Sequence, residues 1–450
     1  MEIDIRKQHR QKELIKKWNP ILEHEAFPKI DSYSKKWMTA AILENTLVET
    51  ADLVESGMLT ELTSSIPVNK MGASSSTPSD GAIDIFDPVL ISLVRRAMPN
   101  LVSYDIMGVQ PMNGPTGLIF AMRPRYTNQS GAENFYNEVN TSFSSVVGGN
   151  NTLGQLHVGS IPNTTYDGNT YNTGSAMSTA QAEALGTDSN SAFAEMSFSI
   201  EKVTVTAKSR GLKAAYTWEL MQDLKRIHGL DADVELSQIL IAEILAEINR
   251  EAIRTVNICA KIGSQTDTTT AGIFDLDTDA NGRWMVEKFK GMIFHLDREC
   301  NQIAKETRRG KGNIMLCSSD VASALVAAEM LDYTPAMSSA LQVDDTGNTF
   351  AGLLNHRIKV YIDPYATGGN YINLGYKGSG FADAGLFYCP YTPLMMVKTV
   401  DQGSLQPLFG YKTRYGMIAN PYAGGSTVRN GALVADDNVY YRKTSVVNLM

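Results

Sequence analysis

The stretch KVTVTAKSRGLKAAYTWELMQDLKRIHGLDADVELSQILIAEILAEINREAIRTVNIC, Lys202–Cys259, decides the fold. It begins with apolar residues at alternate positions, which is the period of a half-buried strand: Val203, Val205 and Ala207. The helical spacing of the apolar residues that follow predicts a helix over about residues 216–228. His228 suits the carbonyl end of that helix, and Gly229 suits a left-handed stop.

A second, longer helix is predicted over Asp231–Cys259. Asp231 can cap its amino end, and no Gly or Pro interrupts the run, which at 1.5 Å per residue would extend roughly 40 Å. One face carries an apolar stripe while charged residues occupy the others; the stripe consists of Ile241, Ile244, Leu245, Ile248, Ala252 and Val256. A helix of this length with one apolar stripe usually has a sheet packed along one side, so we interpret it as a structural spine.

The composition is that of an acidic protein long enough for two or three compact units. Its 450 residues are 43% hydrophobic and 20% charged, and 40 Lys and Arg against 48 Asp and Glu give a formal net charge of −8. This charge disfavours a protein that coats nucleic acid, so no sequence-specific nucleic-acid binding is expected. The N-terminus is charged and no run approaches the length of a membrane span, so neither a signal peptide nor a membrane partner is predicted.

No constellation of residues predicts catalysis or a cofactor, so we do not expect an enzyme. The four cysteines lie far apart without a CxxC pair, which is typical of reduced, packed thiols, and the six histidines are scattered. Asp277–Gly282 copies the opening of a calcium loop, but Lys288 stands at the twelfth position, where such a loop needs Glu. We therefore expect a turn there, and a calcium-dependent hydrolase is the alternative function from a different class.

Residues 1–61 differ in charge from the rest. Residues 1–40 hold nine Lys or Arg and six Asp or Glu, a net charge of +3, whereas residues 41–61 hold five acidic and no basic residues, a net charge of −5. Trp37–Leu53 has helical spacing, with one shared face formed by Ile42, Leu43, Leu47 and Val48. The segment is either a detachable, charge-polarised arm or a solvated pair of helices.

The remaining segments predict an α+β protein. Residues 126–201 contain no Lys or Arg and are rich in Asn, Ser, Thr and Gly, so we expect either a long excursion ordered by neighbours or a flexible linker. After the spine, the patterns predict an amphipathic helix over about Trp284–Thr307, a short buried strand over Ile314–Cys317 and a helix from Asp320. The rest of the chain is rich in strand patterns.

Four long, ungapped stretches resemble the major capsid proteins of T-even-type contractile-tailed bacteriophages: Arg95–Tyr126, Ala207–Glu251, Lys359–Ala366 and Gly410–Ala423. The resemblance extends, with gaps, from about Trp18 to the end of the chain. It implies the tailed-phage and herpesvirus capsid fold, which has an N-terminal arm, an extended loop, a peripheral domain with a long spine helix and an axial domain.

The resemblance also implies a division of the chain. In order, the segments are an N-terminal propeptide removed on maturation (1–61), the N-arm with the first part of the extended loop (62–125), the extended loop or an inserted domain (126–201), the peripheral domain with the spine helix (202–280), the axial domain (281–385), and peripheral-domain strands with the C-terminus (386–450).

Family precursors are trimmed by a phage prohead protease that cuts after Glu in a Leu/Ile-x-Glu context. Leu59, Thr60 and Glu61, followed by Leu62, match this pattern, and Leu53-Val54-Glu55 matches it six residues earlier. We prefer the cut after Glu61, because it adjoins a Ser- and Pro-rich stretch that suits protease access.

The resemblance implies a structural precursor that forms hexameric capsomers of an icosahedral or prolate head. The implied partners are further copies of the chain, the vertex capsid protein, an internal scaffold, the prohead protease, the portal and decoration proteins; none is a cofactor. The implied location is the virion shell, assembled in the host cytoplasm. Two alternatives remain open here: the pentameric vertex protein of the same phages and a non-viral shell protein with the same fold.

Overall fold

The computed structural model of the chain describes residues 2–23, 30, 32–55, 101–134, 139, 143–145, 176–186, 193–230, 232–266, 268–280, 282–328, 331–333, 349–363, 365–366, 368–378, 380, 383–400, 406–425 and 430–449. Residues 2–10, 47–55, 397, 398 and 400 are described for the backbone alone.

Helices and strands both occur in the described residues, as the α+β prediction requires. The α-helices are α1 (Glu2–Leu22), α2 (Tyr33–Glu55), α3 (Ser103–Ile106), α4 (Thr179–Glu183), α5 (Trp218–Asp223), α6 (Ala232–Cys259), α7 (Met285–Thr307) and α8 (Ser319–Ala327). The strands are β1 (Gly108–Val109), β2 (Thr116–Tyr126), β3 (Met196–Thr206), β4 (Lys208–Ala215), β5 (Ala260–Ile262), β6 (Ile273–Asp275), β7 (Ile314–Ser318), β8 (Leu331–Tyr333), β9 (Thr349–Leu354), β10 (Ile358–Asp363), β11 (Asn370–Gly375), β12 (Leu386–Val400), β13 (Pro407–Ala419) and β14 (Asn438–Val447).

The predicted spine is confirmed as α6, which has 28 residues. The stripe residues from Ile244 to Val256 are buried, Ile241 is half-buried, and Glu243 and Glu247 on the outer faces are exposed. The predicted cap, Asp231, lies outside the described residues. Apolar periodicity was thus sufficient to locate the helix, because one face of a long helix must be withdrawn from water.

The helix before the spine begins two residues later than predicted. Tyr216 is extended and buried, with its ring 5.9 Å from that of Phe409, and Thr217 caps α5 by accepting a hydrogen bond from the N–H of Leu220 at 3.3 Å. The helix continues through a π-helical turn, Leu224–His228. It ends at Gly229 with φ +66°, the left-handed stop that the sequence predicted.

A four-stranded sheet lies against the spine, with strand order β1-β12-β13-β4. β12 pairs antiparallel with β13, from Leu386 opposite Ala419 to Val400 opposite Pro407. Buried aromatic side chains of this sheet share one hydrophobic core with the spine: Tyr388, Phe409, Tyr411 and Tyr415. Arg210 of β4 fixes the helix from the sheet side, because its guanidinium contacts Glu247 at 2.7 Å and Glu251 at 2.5 Å.

A larger sheet follows the order β5-β14-β11-β7-β10-β9-β8, and β6 also pairs with β14. Helices α7 and α8 pack on it and form a second core. The predictions of α7, of the buried strand at Ile314 and of the helix near Asp320 are confirmed. The segment 386–450 divides between the sheets, since β12 and β13 lie in the smaller sheet and β14 lies in the larger one.

Polar side chains of the spine contact other elements of the protein, including the larger sheet. Asn249 is buried and accepts a hydrogen bond from the N–H of Val102 at 3.0 Å. Arg250 contacts the buried carboxylate of Asp363 in β10 at 2.5 Å. Nearer the end of the helix, Asn257 accepts a hydrogen bond from Asn373 of β11 at 3.0 Å. The spine therefore contacts the larger sheet through Arg250 and Asn257, and it contacts the smaller sheet through Glu247 and Glu251, which pair with Arg210 of β4.

The N-terminal helices are docked on the body instead of lying free in solvent. Trp18 and Leu22 of α1 and Ile42 and Leu43 of α2 are buried in the same core as the spine. Asn45 donates to the carbonyl of Met112 at 2.7 Å, and further polar contacts come from Lys35. The described part of 1–61 is a helical pair with an apolar inner face, so the interpretation as a solvated pair is wrong for that face.

All four cysteines are buried and free, and burial raises the pKa of each thiol, to about 11 for Cys259 and about 12 for Cys300, Cys317 and Cys389. This agrees with the prediction of packed, reduced thiols, because a thiol rather than a thiolate persists near neutral pH. Within the described ranges, no helix combines the length and the apolar character needed to cross a membrane.

Candidate assembly surface

Strands β2 and β3 form a two-stranded antiparallel ribbon beside the smaller sheet. The register is unbroken from Thr116 opposite Thr206 to Tyr126 opposite Met196. Each strand has 11 residues, so the ribbon is roughly 35 Å long at about 3.4 Å per residue. An isolated pair of strands is marginally stable in water, so the ribbon depends on what its two faces contact.

One face of the ribbon packs on the body of the protein. Ile119, Val203 and Val205 are buried in a third apolar core. The partners from the body are Met112, Phe387, Cys389 and Ile418. Gly431 lies directly over this face with φ +79°, and a Cβ there would approach Cγ1 of Val203 to 2.1 Å, so this position requires glycine.

The opposite face is exposed and carries large apolar side chains beside Lys202 and Thr204, and we call it the outer ribbon face. Its six large apolar side chains are each between 49% and 64% exposed: Leu118, Phe120, Met122, Met196, Phe198 and Ile200. The register places Met122 directly opposite Ile200, so residues from both strands contribute to one surface. Exposed apolar patches of this kind mark interaction sites on soluble proteins.

The sequence contains a signal for this face that our sequence analysis missed. In β3 the apolar residues occupy even positions from Met196 to Ile200 and odd positions at Val203 and Val205. Successive side chains of a strand point to opposite faces. This change of parity therefore means that the apolar residues in the first half of the strand lie on one face and those in the second half lie on the other. We predicted only the half-buried part, which is why the observed strand begins six residues before Lys202.

A buried arginine anchors the ribbon to the body. The Arg123 side chain is fully buried, and its guanidinium contacts Glu133 at 2.7 Å and Glu201 at 3.0 Å. It also donates to the carbonyl oxygens of Pro421 at 2.5 Å and Gly425 at 3.1 Å. Because a buried guanidinium needs partners for its donors, these contacts fix the position of the ribbon relative to the turn at residues 420–425.

The anchor includes a carboxylate in an unusual setting. Burial raises the pKa of Glu133, and the adjacent Arg123 opposes that rise without cancelling it. The Tyr422 ring covers the guanidinium, with its centroid 4.7 Å from Cζ of Arg123, and its hydroxyl donates to the carbonyl of Met122. The role of these groups is structural, because their ion pairs and hydrogen bonds hold backbone segments together.

A second group of exposed apolar residues lies elsewhere on the chain, along α5, the π-helical turn and the start of the spine. Its members are between 45% and 73% exposed: Trp218, Leu220, Ile227, Leu230 and Val234. Helical spacing predicted the helix that carries three of them, yet only Leu224 of its large aliphatic side chains packs against the core. This group and the outer ribbon face lie on different segments of the described chain.

The residues of the predicted cleavage site, Leu59, Thr60, Glu61 and Leu62, lie outside the described residues. The alternative site ends at Glu55, which is the last residue of α2.

The calcium-like stretch forms a hydrogen-bonded turn. Lys288 contacts Asp277 at 2.5 Å, and the Asp279 carboxylate accepts from the N–H groups of Thr269 at 2.8 Å and Asp275 at 3.0 Å. Glu287 accepts from the N–H groups of Arg283 and Trp284, which immediately precede α7, and these hydrogen bonds lower its pKa. No group of three or more His, Cys, Asp or Glu side chains in the described part of the chain is arranged to hold a metal ion.

Comparison with known proteins identifies the family. The family described as Major capsid protein Gp23 matches residues 83–446. The chain belongs to this family. The major capsid protein of Salmonella phage ViI is 38% identical to it over 97% of this chain and 98% of the relative, and that of Enterobacteria phage T4 is 34% identical over 91% and 92%.

Relatives outside the major capsid proteins match less of the chain. The capsid vertex protein of Enterobacteria phage T4 is 30% identical over 55% of this chain and 57% of its own length. Among solved structures, the capsid of Myoviridae phage XM1 aligns with 77% of this chain and 92% of its own, at 9% identity and a TM-score of 0.40.

Membership of the family confirms the resemblance seen in the sequence and the capsid fold that it implied. This capsid protein is a component of the virion shell and acts with other capsid proteins. It is a structural protein and not an enzyme, which agrees with the sequence expectation and removes the calcium-dependent hydrolase from consideration.

Proposed function

We propose that this capsid protein is a precursor that assembles into hexameric capsomers of an icosahedral or prolate head and is then matured by proteolysis. The observation that carries the assembly proposal is the outer ribbon face, which stays exposed although the ribbon is anchored by Arg123. Covering apolar surface contributes about 25 cal/mol per Å², so six large side chains provide a substantial driving force for contact with another copy.

The form of the contact follows from the positions of the two apolar surfaces. The outer ribbon face and the apolar group at residues 218–234 belong to different segments of one chain. A contact between unlike surfaces of identical subunits is heterologous, and its repetition closes a ring when the rotation permits. We place the ribbon of one subunit on the helical surface of the next, with residues 126–201 ordered across that neighbour.

The maturation step in this proposal is hydrolysis after Glu61 by a prohead protease. Leu59, Thr60, Glu61 and Leu62 supply the sequence pattern. Glu55 is less suitable, because it belongs to the helical backbone of α2, which must open locally before a protease can bind it. Removal of 1–61 takes away a net charge of −2 (+3 and −5), so the mature chain carries −8 + 2 = −6.

The proposed segments are those implied by the resemblance: propeptide 1–61, N-arm 62–125, extended loop 126–201, peripheral domain 202–280, axial domain 281–385 and peripheral strands with C-terminus 386–450. The proposed partners are an internal scaffold, the protease, the portal, the vertex protein and decoration proteins. Assembly would take place in the host cytoplasm, before the negatively charged shell receives DNA.

A pair of variants tests the assembly surface. Phe120→Lys with Phe198→Lys should leave the thermal unfolding temperature of the soluble precursor unchanged but abolish shells and tubes in negative-stain images when the chain is expressed with its scaffold. Phe294→Lys is the matched control, since Phe294 is 68% exposed on α7 and belongs to neither apolar surface. Normal shells from the double variant would overturn the proposed contact.

Intact-mass measurement of purified particles tests maturation. Mature subunits are expected to begin at Leu62, and subunits that begin at Met1 would refute the cleavage.

One observation favours a second candidate function, the pentameric vertex protein: a capsid vertex protein is similar over about half of this chain. The copy number per particle decides between them, because a vertex protein is much scarcer than the protein that forms hexamers.

A further inference from the structure

The short helix α3 lies where several parts of the molecule meet. The N–H of Val102, just before α3, donates to Asn249 of the spine at 3.0 Å. The carbonyl of Ile106, at its end, accepts from the hydroxyl of Tyr441 in β14 of the larger sheet at 2.8 Å. Strand β1 begins two residues later and pairs with β12 of the smaller sheet. A change at α3 is therefore felt by the spine and by both sheets.

Two lysines from different segments reach α3 at neighbouring residues. Lys35 of α2, which belongs to the arm formed by residues 1–61, contacts the carboxylate of Asp105 at 3.0 Å. Lys377 follows β11 and donates its ammonium to the carbonyl of Tyr104, the residue before Asp105. Lys377 forms no ion pair with any described residue. Asp105 is thus paired with the arm, although a second cation from the body of the protein lies beside it.

The charges around Lys377 act in opposite directions. Burial lowers the pKa of Lys377 to about 8, the carboxylate of Asp105 opposes this, and the ammonium groups of Lys35 and Lys359 lower it further. These charges face Lys377 from α3, α2 and β10. The phenol of Tyr361 also lies near Asp105, but burial raises its pKa, so it adds no charge. The arm therefore disfavours the charged form of Lys377 through Lys35.

We propose that Asp105 is an exchangeable counter-ion, held by Lys35 while the arm is docked and paired with Lys377 once the arm leaves. This inference rests on the proposed removal of residues 1–61. Removal takes one cation away from Lys377 and frees the carboxylate, and both changes favour the charged ammonium. The lysine stem is flexible, so the ammonium can turn from the carbonyl of Tyr104 to the carboxylate of the next residue.

The exchange replaces a contact that is lost with the arm. The new ion pair joins α3 to the segment after β11, so the docked arm withholds a connection between α3 and the larger sheet. Docking also becomes dependent on pH. The pKa of Lys377 is lower with the arm docked than with the arm released, so the contribution of this group to docking is present at high pH and is lost as the pH falls through about 8.

Variants of the full-length precursor test the exchange. Competitive amine labelling at a series of pH values, read by mass spectrometry of the peptide that contains Lys377, gives its titration midpoint, because only the neutral amine reacts. The wild type should titrate near pH 8. Lys35→Met should raise the midpoint by about 0.5–1 pH unit, the effect of one nearby elementary charge, and Asp105→Asn should lower it.

Lys36→Met is the matched control. Lys36 is the next residue of the same helix, its side chain is 26% exposed like that of Lys35, and it pairs with Glu23 instead of Asp105. It should leave the midpoint of Lys377 unchanged. Equal midpoints for Lys35→Met and Lys36→Met would overturn the proposal. General loosening would expose Lys377 and raise the midpoint in every variant, so a rise in Asp105→Asn would also contradict it.

Particles extend the comparison to the released state. The midpoint of Lys377 should be higher in particles whose subunits begin at Leu62 than in Glu61→Gln particles, which retain the arm. Equal midpoints in these two particles would overturn the exchange. Wild-type particles whose subunits begin at Met1 would instead refute the proposed maturation, and the precursor variants would still decide whether Lys35 withholds Asp105 from Lys377.

Discussion

At the scale of single residues, two buried cations show how differently a charge can be accommodated. Arg123 has two carboxylates and two backbone carbonyls as partners, and it lies beneath an aromatic ring. Lys377 is partly buried, donates to the carbonyl of Tyr104 and lies near the carboxylate of Asp105. The second site is sensitive to pH, because burial lowers the pKa of Lys377.

Arg123→Met should destabilise the folded precursor by about 3–5 kcal/mol, because it leaves the carboxylates of Glu133 and Glu201 without their buried partner. Urea denaturation of the soluble precursor measures this. Arg254→Met on the exposed side of the spine is the control and should change stability by less than about 0.5 kcal/mol. Equal stability of the two variants would contradict the anchoring by Arg123.

The pH dependence should depend on Lys377, because burial lowers its pKa from 10.5 to about 8. Between those two values the unfolded chain binds the proton and the folded chain does not, so stability from this group rises with pH across that window. The wild type should therefore gain about 2–3 kcal/mol relative to Lys377→Met between pH 7.5 and pH 10.5.

Denaturant titrations of both proteins at several pH values give this difference. Lys412→Met provides the comparison, since Lys412 is exposed on β13 and is not among the charges that act on Lys377, and its stability should follow the wild type across the same range. A constant difference between wild type and Lys377→Met would show that Lys377 titrates normally.

At the scale of elements, regular periodicity decided what could be predicted. The spine was predicted almost to its ends, because Ile244, Ile248 and Val256 recur at helical spacing and no Gly or Pro interrupts the 28-residue helix. The outer ribbon face was missed, because its exposed apolar residues contradict the rule that apolar side chains are buried in a monomer. Reasoning from a single chain places those residues inside, whereas they are between 49% and 64% exposed.

Two isoleucines on the spine provide a matched pair for its packing. Ile248→Ala should destabilise the precursor by about 2–5 kcal/mol, since Ile248 is 1% exposed and its removal leaves a cavity. Ile239→Ala, at 62% exposure on the same helix, should cost less than about 0.5 kcal/mol. Thermal and chemical denaturation report both, and similar losses would mean that the spine is not packed along the face described.

At the scale of the whole molecule, the described helices of residues 1–61 are part of the folded body. The charge pattern of residues 1–61 predicted a detachable segment, but it did not reveal that Ile42 and Leu43 share a core with the spine. Long-range docking of this kind depends on shape complementarity between distant segments. Periodicity reports which face of a helix is apolar and not which surface it meets.

A chain restricted to residues 62–450 tests the contribution of the arm. It should be insoluble, or should unfold at a temperature at least about 10 °C lower than the precursor, because it exposes the surface that Trp18, Leu22 and Ile42 cover. Precursor with Glu61→Gln is the control, since it retains the arm. Equal thermal stability of 62–450 and the control would show that the arm adds nothing to folding.

The attachment of both sheets to α6 has a mechanical consequence. Glu251 pairs with Arg210 of the smaller sheet, and Arg250 and Asn257 contact the larger sheet, so a torque applied to one sheet is transmitted through the helix to the other. The helix is about 42 Å long at 1.5 Å per residue, and turning it by about 10° around one end displaces the other by about 7 Å. The subunit can therefore act as a lever, in which small rotations become shifts large enough to exchange one set of neighbours for another.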